Sequence, residues 1–196
     1  MRKVGVYSMI IAFTGAGVSK ESGIDTFQDR PGIRDKLTRT FATNHPEEYR
    51  KVMKEFCDTI KGKEPNNAHK ELARAGVKII TMNVDGLHEK AGSYDVLAIH
   101  GRLPEEHELP YCETLRNAPV LYEDKAPRYQ DAFDIVYGLQ KGDYFLVIGA
   151  STYTGISVNL RWIAEQMGAT VIEIQDNASV KVGQTLQQIY GDALNG

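Results

Sequence analysis

Short apolar runs rich in valine and isoleucine recur at "MIIAF" (9–13), "VKIITM" (77–82), "DVLAIH" (95–100), "DYFLVIG" (143–149) and "TVIEIQ" (170–175). Each suits one buried strand and is far too short to span a membrane. Between most of them apolar residues return at helical spacing, in "NAHKELARAG" (67–76), "DAFDIVYGLQKG" (131–142) and "SVNLRWIAEQMG" (157–168). The last two close on Lys-Gly and Met-Gly, a common way to stop a helix. Strands alternating with helices predict an α/β fold, a mostly parallel sheet with helices on both faces.

Two stretches break the alternation. Residues 31–64 are polar with sparse apolar positions at helical spacing, and "NHP" at 44–46 marks a helix start, which predicts a small helical insert. Residues 101–130 hold Pro104, Pro110, Pro119 and Pro127 with little periodicity. They are expected to form a connecting excursion with one short extended piece at "PVLY". The chain is thus expected to be one domain over 1–196.

Composition narrows the partners. A formal charge of −3 and 25% charged residues give no general attraction for nucleic acid or an anionic membrane surface. Only two cysteines occur, Cys57 and Cys112, in no CxxC pair, so neither a disulfide framework nor a four-thiolate zinc site is expected. A reducing cytoplasm fits this usage. The start, "MRKVGVYSMIIAF", places two basic residues before an apolar stretch, but Tyr7 and Ser8 interrupt it and no small-x-small cleavage site comes after it. It is read as the first strand.

In a parallel sheet, ligands bind beyond the carboxyl ends of the strands. The residues just after each run here are "TGAGVS", "NVDG", "HG", "GAS" and "QDN", a polar, glycine-rich edge. Gly15 and Gly17 permit a tight turn and close approach of backbone amides to an anion such as a pyrophosphate, or serve simply as a strand–turn–helix corner. Asn83 and Asp85 can hydrogen-bond a ribose or an amide, or cap the short helix suggested by "GLHEKAG". His100 is placed to act as a general base near neutral pH, or as a structural imidazole. His45, His69, His88 and His107 lie off the strand ends and are read as structural or solvated. The spacing of His107 and Cys112 matches no standard metal set.

Taken together, these motifs resemble the sirtuin family of NAD-dependent protein deacylases. "TGAGVSKESGI" is similar to its first NAD motif, "HPEEY" to the start of its helical module, and "PNNAHKEL" to a further family stretch. "TMNVDGLHEKAGS" matches the second NAD motif, "HG" the catalytic histidine, "VIGAS" the fourth-strand motif and "IEIQ" the ribose-contacting strand end. The resemblance implies a Rossmann-like domain with NAD as co-substrate and an acylated lysine of a protein or peptide as substrate. The acyl oxygen attacks C1′ of the nicotinamide ribose, and nicotinamide and finally O-acyl-ADP-ribose are released.

It further implies His100 and Asn83 as catalytic residues. Gly15, Ala16, Gly17 and Ser19 would sit around phosphate, Phe27 and Gln28 on a loop over nicotinamide, and Met82, Asn83 and Asp85 at the ribose and carboxamide end. Gly149, Ala150, Ser151 and Gln175 would line the far side, and Val120, Leu121 and Tyr122 the peptide. The family's two CxxC pairs are missing, so no zinc is expected, and 101–130 is a reduced connection in their place. Asp25-Thr26-Phe27-Gln28 stands where most members read Pro-Asp-Phe-Arg, removing the loop arginine. NAD hydrolysis, ADP-ribosyl transfer, or NAD sensing without turnover are the alternatives.

Overall fold

The computed structural model describes residues 8–25, 32–151 and 154–195. The strands are β1 (Ile10–Thr14), β2 (Lys78–Thr81), β3 (Val96–Ala98), β4 (Tyr144–Ile148) and β5 (Thr170–Ile174). They form one parallel sheet in the order β3-β2-β1-β4-β5. β1 is buried at all five positions because it lies between β2 and β4 and carries helices over both faces. All the described part of "MIIAF" except Met9 lies in this strand; residues 1–7 of the first-strand assignment lie outside the described residues.

Strand alternation divides the core. Ile11, Phe13, Ile80, Phe145 and Val147 face one way and pack on α5 (Tyr129–Tyr137) and α6 (Gly155–Gln166) through Val136, Leu160 and Ile163. Ile10, Ala12, Ile79, Leu146 and Ile148 face the other way, against α3 (Asn67–Arg74) and α7 (Ala178–Asn195) through Leu72, Val182 and Leu186. Each fully buried aliphatic side chain is worth about 1.5–3 kcal/mol of transfer free energy, so the two layers hold the strand ends rigidly.

The chain reverses direction in sheet order between β1 and β4, which makes the crevice above them the switch point where α/β sheets take ligands. A strand–turn–helix corner predicts an α-helix after β1. The chain instead forms a seven-residue 3-10 segment, Ala16–Ser22, whose second residue, Gly17, donates its N–H to the Gly149 carbonyl at 2.9 Å.

Residues 34–60 contain a 3-10 turn (Arg34–Leu37), α1 (Arg39–Asn44) and α2 (Pro46–Ile60). They share a third cluster, with Tyr49, Met53, Cys112 and Leu121 buried, with a 3-10 segment of the connection, Glu106–Thr114. Arginine forks join the two parts. Arg39 donates from Nε and Nη2 to both Asp124 oxygens, at 2.9 and 2.6 Å, and also to the carbonyls of Glu113 and Leu115. Arg50 clamps Glu113, and Arg102 clamps Glu108. Glu123 takes a left-handed φ of 77°, which lets its carboxylate accept from the Thr40 N–H and hydroxyl, each at 2.8 Å, at the start of α1.

Among the described residues no helix is long and apolar enough to cross a membrane.

Candidate active site

Backbone contact between two turns builds the floor of the crevice. Gly15 N–H donates to the Ile148 carbonyl and Gly17 N–H to that of Gly149. A Cβ on Gly15 would lie 2.8 Å from Ala150 Cα, and one on Gly17 would lie 2.7 Å from Gly149 Cα. No side chain fits between the turns. These bonds use the Gly15 and Gly17 donors, while the N–H of Ala16 has no partner among the described residues. An unpaired amide next to so close a backbone approach is the kind of donor a phosphate oxygen can use. Ala150 is buried beside this floor, whereas Ser151 and Gln175 are exposed past β4 and β5.

Ser19 does not cap the segment. It is buried and points inward, donating to Asp85 Oδ2 at 2.7 Å and accepting from Asn83 Nδ2 at 3.2 Å. The Asp85 Oδ1 oxygen accepts from the Leu87 N–H at 3.0 Å, at the start of α4 (Leu87–Lys90). Asp85 thus caps a helix with one oxygen and braces the polar corner with the other. Of the two readings left open by its spacing, the capping one holds.

Two histidines read from the sequence only as structural or solvated lie directly beneath. His69 Nε2 is 3.5 Å from Ser19 Oγ, and His88 Nε2 is 2.9 Å from Thr14 Oγ1. Thr14 donates to Thr81 Oγ1, which also receives the Asn83 N–H at 3.0 Å. Since the serine and threonine protons are spent on Asp85 and Thr81, both imidazoles act as Nε2–H donors. Burial, with His69 adding to it, pushes His88 down to about 3. Burial likewise lowers His69, which Asp85 partly offsets. The Nδ1 atoms of both rings are buried without a protein partner.

His100 lies in the turn after β3, one residue beyond Ile99. Burial lowers its pKa, and a hydrogen bond to the Met82 backbone opposes that shift. Its Nε2 lies 2.9 Å from the Tyr129 hydroxyl. Met82 packs against the sheet core and its N–H bonds to the Thr14 carbonyl. A cavity of about 360 Å³ opens alongside, lined by Asn83, Val84, Asp85, Gly101, Val120 and Arg128 among others.

At residues 120–122 the backbone is largely committed. Val120 N–H donates to the His100 carbonyl, Leu121 N–H to Asp124, and Tyr122 N–H to the Leu37 carbonyl. The carbonyls of Leu121 and Tyr122 accept from Asp124 and Arg39. The Val120 carbonyl is left open among the described residues. Tyr122 pairs with Thr38 of the same chain.

Phe27 and Gln28 lie outside the described residues. Among the described residues no group of three or more His, Cys, Asp or Glu side chains could hold a metal ion. His107 instead faces Glu105, and Cys112 is a buried free thiol.

The model of the Sir2 family matches residues 15–113. The NAD-dependent protein deacylase of Thermococcus sibiricus is 32% identical over 211 residues, spanning 87% of this chain and 81% of that protein. The NAD-dependent protein deacetylase of Bacillus anthracis is 31% identical over 201 residues, spanning 85% of this chain and 82% of that protein. The chain belongs to the Sir2 family. The solved structure of a Sir2 homologue in complex with NAD superposes with a TM-score of 0.80 at 25% identity, covering 96% of this chain and 92% of that one. The Sir2 assignment agrees with the parallel sheet and with the gathering of the first, second and fourth strand-end motifs around one crevice.

Sequence reasoning missed Tyr129, His69, His88 and the Thr14–Thr81 pair as parts of this site. "AHKEL" and "GLH" carried the only signal for the two histidines, and nothing in the spacing pointed to Tyr129.

Proposed function

We propose that this Sir2-family chain is an NAD-dependent protein-lysine deacylase, consuming NAD and releasing nicotinamide and O-acyl-ADP-ribose. The observation that carries this reading is the joining of Asn83 and Asp85 through Ser19, beside a side-chain-free amide cleft and on the same sheet edge as His100. A dinucleotide has the matching parts: a pyrophosphate for the Ala16 amide and the Gly15, Gly17 and Gly149 cleft, and a ribose and carboxamide for Asn83 and Asp85.

In this reading Ser19 fixes the two polar side chains, so the ribose meets a corner that needs no rearrangement. Gly149, Ala150 and Ser151 line the opposite wall, Met82 supports the ribose end and Gln175 stands toward the adenosine. We assign Phe27 and Gln28, which lie outside the described residues, to the nicotinamide end. His100, kept neutral by burial, takes a proton at Nε2 from a ribose hydroxyl. The acyl-lysine enters beside Val120, whose open carbonyl accepts a substrate amide N–H. Leu121 and Tyr122 support this strand without offering free N–H groups. We assign no resident metal, and a cytoplasmic location is consistent with two free cysteines.

His100→Ala is the test. It should abolish deacylation while NAD still raises the melting temperature, because the imidazole works on cofactor already seated. Wild-type turnover in that variant would remove His100 from the mechanism.

A further inference from the structure

The hydroxyl of Tyr129, 29 residues after His100, stands 2.9 Å from His100 Nε2, with ring centroids 5.9 Å apart. Tyr129 opens α5, and its ring packs on the same core layer as Met82 and Phe133. The phenol is therefore anchored by its apolar body, with only the hydroxyl turned to the imidazole.

The hydrogen-bond roles follow from the tautomer. A hydrogen bond to the Met82 backbone opposes the lowering of the His100 pKa, the effect of an acceptor facing the ring, and it favours the tautomer whose other nitrogen, Nε2, is unprotonated. Nε2 then has one lone pair, and it accepts the Tyr129 O–H. A ribose hydroxyl that loses its proton to Nε2 must use the same lone pair.

We propose that Tyr129 is a positioning residue that stands in for the ribose hydroxyl in the free protein, holding Nε2 of His100 unprotonated and aimed until the cosubstrate displaces it. The inference rests on His100 being the base of the deacylase proposed above.

Sharing the lone pair has two effects. A hydrogen bond donated to the neutral form lowers the affinity of Nε2 for a proton. It also competes with the arriving hydroxyl. Other titratable groups near this pair are Tyr122, which neighbours Tyr129, and Asp85, His88, Glu89, Arg102 and Arg128, which line the cavity flanked by Ile99 and Gly101. Tyr129→Phe leaves all of these in place.

The experiment is an NMR titration of isotope-labelled free protein, with the His100 resonances identified by their loss in His100→Asn. In Tyr129→Phe the His100 midpoint should rise by about 0.4 to 1 pH unit, the equivalent of one ordinary hydrogen bond. In turnover with NAD and an acyl-lysine peptide, the KM for NAD should fall about two- to tenfold while kcat changes less. The acidic limb of kcat/KM should move to higher pH with the NMR midpoint. A merely structural tyrosine would move neither. An unshifted His100 midpoint, or a raised KM with an unmoved acidic limb, would overturn the proposal. The titration needs no catalysis, so a shifted midpoint in a protein that makes no O-acyl-ADP-ribose supports the contact and overturns the deacylase reading instead.

Discussion

Gly17→Ala isolates the close approach on which the nucleotide cleft depends. The new Cβ would lie 2.7 Å from Gly149 Cα and 2.8 Å from its carbonyl oxygen, both backbone atoms with no rotamer to change. Relief requires the β1 and β4 turns to part by about 0.7 Å or more, an overpacking that costs about 1–3 kcal/mol. Parting also stretches the 2.9 Å bond from Gly17 N–H to Gly149, a further loss of about 1 kcal/mol. The sum, about 2–4 kcal/mol, lowers Tm by roughly 4–16 °C in a chain of this size.

The assay is calorimetry with and without saturating NAD. The wedge also separates Ala16 from the Gly149–Ser151 wall, so the NAD-induced rise in Tm should shrink relative to the parent protein. Gly62→Ala is the control, since Gly62 has φ +79° and nothing within 4 Å of its Cβ site. It should lose only about 1–2 kcal/mol for a left-handed alanine and keep the full NAD response. A Gly17→Ala protein melting within about 1 °C of its parent, with an undiminished NAD response, would refute the cleft geometry.

Other outcomes concern charge. An unfolded histidine takes up a proton near pH 6.5, whereas His88 in place does so only at about 3. Its share of stability is therefore complete above pH 6.5 and declines by up to about 1.4 kcal/mol per pH unit on going down to about 3. His88→Gln should reduce the acid loss between pH 6.5 and 5 by about 2 kcal/mol in urea melts, and an unchanged acid loss would speak against a neutral buried ring. Asp124→Asn leaves Arg39, whose side chain is 14% exposed, without its charged partner, at a cost of about 3–5 kcal/mol in thermal unfolding. Chelators should leave the melting curve in place and elemental analysis should find no stoichiometric zinc; zinc whose removal unfolds the chain would reverse this assignment.

Periodicity made the sheet legible. Four of the five apolar runs contain their strands and the first strand extends one residue past its run, to Thr14; Met-Gly closes α6, where Gly168 takes φ 83°, whereas α5 stops at Tyr137, ahead of the Lys-Gly expected to end it. Asn83, Asp85 and the glycines were legible as strand-end chemistry for the same reason, since parallel strands bring their carboxyl ends to one edge. Pairings between distant segments were not. Ser19 meets Asp85 across 66 residues and Arg39 meets Asp124 across 85, separations to which no local pattern corresponds. The 3-10 segment after β1, with its Gly17 N–H bonded to Gly149 across more than 130 residues, was likewise not legible. At 120–122 the extended piece was visible, but the spending of its donors on His100, Asp124 and Leu37 belongs to the tertiary fold.

Lysine deacylation is tested most directly by mass spectrometry of the NAD-derived product over a panel of acyl-lysine peptides. O-acyl-ADP-ribose formed one-for-one with free lysine is the expected result. Free ADP-ribose or ADP-ribosylated protein, with every acyl-lysine left intact, would contradict it.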